Sequence, residues 1–161
     1  MEIHGHGICT DFSMRGKFKE IKTSEDLEPL KKLINMAPNF AADHTMATLE
    51  AMEETILEDK MSLAGAASDL AYALFGDDAG LCGLSHILAL VIAECEDIHL
   101  VSTLDGDCNE YLLLAKKFPW QMTEREKSLT QSELDAIFDK YVSVLTDEPI
   151  EIQYMELDLG D

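Results

Sequence analysis

Residues 50–59, EAMEETILED, hold five acids and no base. Carboxylates this dense suit three kinds of chemistry: ligation of a hard cation, general acid–base work by a pair held at different pKa values, or a fixed negative field offered to a basic surface. Glu50, Glu54 and Glu58 recur at every fourth residue. On a helix that spacing makes one row, in which each like-charged pair costs about 0.2–0.5 kcal/mol. Glu53 falls in the apolar arc of the same helix, and Asp59 follows its end. A face that only solubilises mixes signs, and no Lys relieves this one. Asp77 and Asp78, beyond the next helix, extend the field if the two helices pack antiparallel.

The other chemistries find less support. His4 and His6, with Cys9 close by, are zinc-type donors, but no second cluster supplies the remaining ligands. Cys82 and His86 stand one turn apart on an apolar helix, where His86 reads as a hydrogen-bonded core histidine. Glu96-x-x-His99 has the spacing of one half of a di-iron site, which requires two such pairs and two further Glu. DGDCNE, 105–110, has the wrong length and final spacing for a calcium loop. There is no G-x-S-x-G, no Gly-rich phosphate cradle and no catalytic cysteine signature. The expectation is therefore a protein that is not an enzyme, with no cofactor and no metal. Cys9, Cys82, Cys95 and Cys108 form no C-x-x-C and read as reduced, buried thiols.

The elements that must position these groups follow from periodicity. Residues 8–22 alternate around Arg15-Gly16 and predict an N-terminal hairpin. Residues 23–36 predict a helix capped at Thr23 or Ser24 and ended by Pro38. The acidic helical region spans 41–97. It holds a helix over 41–59, with Ala42, Met46, Leu49, Met52 and Ile56 on one arc, a second over 63–75 capped by Ser62, and a third, apolar nearly all round, over 81–96. Residues 98–159 predict a second hairpin about Asp105-Gly106-Asp107, two capping boxes at 123–126 and 130–133, a helix, and a strand with a bulge or an early end near Tyr154-Met155. The fold class expected is a single α+β domain over residues 1–161: a small, mostly antiparallel sheet packed with about five helices.

Charge limits the partners. The chain carries 32 acids and 12 Lys or Arg, a net of −20. Residues 1–40 are balanced, whereas residues 41–110 hold fifteen acids against Lys60 alone. Such a segment repels nucleic-acid phosphates and anionic membranes and attracts basic surfaces, so direct nucleic-acid binding is disfavoured. The longest apolar stretch, 84–93, is too short to span a bilayer. The N-terminus lacks the basic-then-apolar pattern of a secretion signal, and the cytoplasm of a bacterial host is the expected compartment. Trp120, in KKFPWQM, is either a lid on the core or an anchor for a partner.

From about residue 110 onward, FPWQM, EKSLT ahead of a helix, and KYVSVLTDEPIEIQY resemble the tail of small accessory proteins carried on bacterial conjugative elements and prophages. The resemblance covers about a third of the chain and transfers no functional residue. It implies a setting in which small proteins blunt host defence. In charge and size alone, the chain is similar to anti-CRISPR and antirestriction inhibitors that imitate nucleic acid. The function expected is an acidic inhibitor that occludes the basic groove of a nucleic-acid-binding protein such as a CRISPR nuclease or restriction enzyme. Its contacts would be Glu50, Glu53, Glu54, Glu58, Asp59, Asp77, Asp78 and Trp120. The alternative is a regulatory or structural protein of a mobile element, acting as a homodimer through its apolar helices or the FPW loop.

Overall fold

The computed structural model describes residues 4–11, 20–76, 83–104, 110–114, 119–145 and 152–158, the strands mostly as backbone. The expected α+β class is corrected. The body whose side chains are described is helical, built on six α-helices of five residues or more. These are α1 (Glu28–Asn35), α3 (Met46–Glu58), α4 (Leu63–Phe75), α5 (Gly83–Glu96), α6 (Glu124–Ser128) and α7 (Gln131–Val142), with a single turn, α2 (Pro38–Phe40), between the first two. The physical reason lies in the spacing of what is buried. Leu30, Leu33 and Ile34, then Leu63, Ala66, Ala67 and Leu70, then Leu134, Ile137, Phe138 and Tyr141 recur every three or four residues. That is the period of a helix face and not of a sheet face. The described interior is helix against helix.

Backbone pairing adds four short strands beside this body: β1 (His4–Asp11), β2 (Leu100–Leu104), β3 (Glu110–Leu114) and β4 (Ile152–Asp158), in the order β2-β3-β1-β4. β2 and β3 lie against the helix Gly83–Glu96, and Leu100, partly buried, packs on the core. The expected hairpin over 8–22 is also corrected. β1 pairs antiparallel with β3 and β4, while Glu20 bridges to Ser62 and the Ile21 N–H donates to the Met61 carbonyl at 2.8 Å. The proposed turn at Arg15-Gly16 lies outside the described residues. No bulge falls at Tyr154-Met155, since the register runs unbroken from His4 opposite Asp158 to Thr10 opposite Ile152.

Helix α5 runs through the centre, with Leu84, Ile87, Leu88, Val91 and Ile92 all fully buried. Each such side chain contributes about 1.5–3 kcal/mol relative to exposure. α4, whose buried residues include Ala64, Ala67 and Ala71, packs on it. At the contact, a Cβ added to Gly83 would lie 2.3 Å from the Ser68 Cα. Gly83 is therefore required by the approach itself. Ser62 begins α4 by accepting the Gly65 N–H at 3.1 Å.

Candidate functional site

Helix α3 is oriented by its inner face. Leu49 and Ile56 are fully buried, two turns apart, and Met46, Met52 and Leu57 pack partly against the same core. That fixes residues 50, 51, 54, 55 and 58 as the outer face, and all of them are exposed. Glu50, Glu54 and Glu58 thus form the row expected of them, rising about 6 Å from one to the next. The helix ends at Asp59, also exposed, with no base in its last turn.

The electrostatics of the row oppose the helix that carries it. A helix C-terminus bears partial negative charge and favours cations, each worth about 0.3–1 kcal/mol. Here Glu58 and Asp59 sit at that end, and the first turn, where acids would help, holds none. The two i,i+4 pairs repel as well. Stabilising the fold therefore does not explain why these carboxylates stand where they do.

The remaining predicted contacts divide. Glu53 leaves the row: it is half-buried and faces Lys31, whose Nζ lies 3.6 Å from Oε1 and 4.0 Å from the Glu28 carboxylate. Lys60, the base following the helix, is exposed and held at φ 53° in the turn toward α4. Asp77 and Asp78 lie outside the described residues. Trp120 is 71% exposed in a short turn, Pro119–Gln121, ahead of α6. It is an outward side chain and no lid on the core, and its turn is not among the main neighbours of α3, which are α4 and the turn leading into α3. His86 is edge-on to Phe75, with ring centroids 5.0 Å apart, and burial depresses its pKa below the ordinary 6.5. Among the described residues, no three His, Cys, Asp or Glu side chains gather as a metal site.

Three arrangements went unseen in the sequence. The Glu94 carboxylate, from α5, accepts the Asn39 and Phe40 N–H groups at 2.9 and 3.0 Å and so caps α2 from 54 and 55 residues away. Glu126 was legible as a capping-box acid but not as a buried one. It is 4% exposed and accepts from Thr123 N at 3.0 Å and His99 N at 3.4 Å, with the His99 Nδ1 3.5 Å away. The third is a cleft of about 430 Å³ where α5 ends against α7, lined by Glu94, Cys95, Glu96, Lys140 and Tyr141. Its polar groups are already engaged. The Tyr141 hydroxyl donates to Glu96 Oε2 at 2.7 Å, Lys140 lies 3.6 Å from the same oxygen, and the Cys95 thiol donates to the Met36 carbonyl at 3.0 Å. Burial first, and the Glu96 carboxylate second, hold the Tyr141 phenol far above its ordinary pKa. These contacts tie the corner together, and Cys95, expected to be buried, is exposed there.

No family model, curated protein or solved structure matches this chain.

Proposed function

We propose that the chain is an acidic inhibitor that acts without chemistry. It occupies the basic nucleic-acid-binding groove of a host defence protein, of CRISPR-nuclease or restriction-enzyme type, and excludes the nucleic acid. One observation carries this reading. Glu50, Glu54 and Glu58 point outward in one row, continued by Asp59, at positions where they weaken their own helix. Charges held against the interest of the fold are accounted for by a ligand of opposite sign. A basic groove draws such a row through the same salt-sensitive field that draws phosphate. The contacts proposed are Glu50, Glu54, Glu58 and Asp59. Glu53 is spent on Lys31 and drops from the set.

The test is competition for DNA by a panel of CRISPR nucleases and restriction enzymes in a gel-shift assay. Wild-type protein is expected to release DNA from at least one, with the effect fading as salt rises. Changing Glu50, Glu54 and Glu58 together to Gln should abolish it. Inhibition that survives the triple change would reject the row as the site.

The exposed Trp120 favours a second reading, a homodimer of a mobile-element protein joined at the turn it occupies. The apolar residues of α5 cannot serve as that interface, because they are already buried within the chain. A dimer predicts a light-scattering mass twice 17.9 kDa that persists in high salt and is halved by Trp120→Ala. A wild-type monomer would end this reading.

A further inference from the structure

We propose that residues 38–58 have a second conformation in which α2 and α3 run on as one straight helix, and that Asp43-His44 is the hinge between the two forms. The backbone is right-handed helical on both sides of the break, at Phe40 and Ala41 before it and at Thr45 and Met46 after it. Only Asp43 (φ −90°, ψ 51°) and His44 (φ 67°, ψ −3°) depart. A Cβ makes that left-handed conformation unfavourable for His44. The next residue, Thr45, is 1% exposed, and its hydroxyl has no hydrogen-bond partner among the described residues. An orphaned buried hydroxyl is itself costly.

Straightening removes both costs in one movement. His44 returns to the right-handed region, and in a continuous helix the Thr45 hydroxyl reaches the carbonyl one turn back. The helix already contains that arrangement one turn later, where the Thr48 hydroxyl donates to the His44 carbonyl at 2.7 Å. What holds the bent form is the burial of Leu49 and Ile56. Glu94 fastens the start of α2 in either form, since its contacts stop at Phe40. The joint is thus a two-state element: core contacts favour the bend, and local backbone and hydroxyl chemistry favour the straight helix. Because the glutamate row is built on α3, the hinge sets the direction in which the row points. The proposal stands whether or not that row binds a partner.

Backbone NMR of the intact protein and two variants tests it. In the wild type, relaxation dispersion is expected for amides of residues 41–48. His44→Ala, which keeps the left-handed penalty and gains helix propensity, should show a second set of resonances. In that set residues 43 and 44 have helical Cα shifts, with a population about threefold above wild type. His44→Gly removes the penalty and should suppress the exchange. If His44→Ala fails to fold, Thr45→Val takes its place: it removes the orphaned hydroxyl, so exchange should fall. Exchange unchanged in both His44→Gly and Thr45→Val, or a single bent conformer in His44→Ala, would overturn the hinge.

Discussion

Glu126 is a buried carboxylate on which two backbone segments depend. It ties together segments 27 residues apart by accepting from Thr123 and His99. A buried donor left without its acceptor costs about 1–3 kcal/mol. Glu126→Ala is therefore expected to lose about that much in a urea titration, and Glu126→Gln, which keeps an acceptor oxygen, less. An equal loss in both would show that charge, and not hydrogen bonding, is what Glu126 supplies. His86 gives a second test at this scale. Its folded-state pKa is depressed below 6.5 by burial. Above about pH 6.5 both states hold it neutral and nothing is lost. As pH falls through that value the unfolded chain takes up a proton that the folded chain refuses, so stability declines. His86→Gln should shrink the stability difference between about pH 7.5 and about pH 5.5; an unchanged difference would place the titration elsewhere. The sequence told part of this. TERE identified Glu126 as a cap, but whether a capping acid faces solvent or a turn from another segment is decided by packing. His86 was rightly placed on an apolar helix, while its contact, Phe75, comes from the helix before.

At the scale of elements, α4 and α5 carry the clearest expectations. Ser62→Ala removes the oxygen that receives the Gly65 N–H and should cost about 1 kcal/mol. Gly83→Ala forces a methyl against the Ser68 backbone and should cost about 1–3 kcal/mol by separating the helices. Chemical denaturation measures both, and a Gly83→Ala protein of wild-type stability would mean that the two helices slide freely. Helix existence was legible: the apolar spacing of 63–75 and of the helix after Thr130, together with their Ser and Thr caps, matches α4 and α7 closely. Helix interruption was not. Nothing in AADHTMATLE marks a break, since neither Gly nor Pro is present, yet the helical path breaks at Asp43-His44, ahead of the buried Leu49 and Ile56. Ala42, on the inner arc by periodicity, precedes the break and is exposed. The fold class is not legible at this level either, because alternating segments point to a sheet while the helical spacing of the buried apolar residues builds the described core.

For the molecule as a whole, the net charge of −20 sets solubility and the response to salt. Self-repulsion is screened as the Debye length shortens, so melting temperature should rise between low salt and about 0.5 M NaCl. Glu50, Glu54 and Glu58 changed together to Gln should raise it at low salt and flatten the salt dependence, while weakening any capture by a basic partner. A triple variant less stable than wild type would show that the row supports the fold. The acidity of the row was readable from sequence, since spacing alone put it on one face. The diversion of Glu53 to Lys31 was not, because that pairing depends on how α1 lies beside α3.

The Thr123 hydroxyl donates to the Asp97 carbonyl at 2.8 Å. With the Glu126 bond to His99, the chain departs from the helical body and rejoins it through a single pinch. β2 and β3, which follow the first foot, are fastened a second time: both lie against α5, and β3 pairs with β1. The pinch is therefore one of two anchors. Replacing residues 101–121 with a short Gly-Ser linker should remove the second anchor and lower the thermal stability of the helices followed by circular dichroism. Helices of unchanged stability after excision would mean that the pinch alone closes this part of the body.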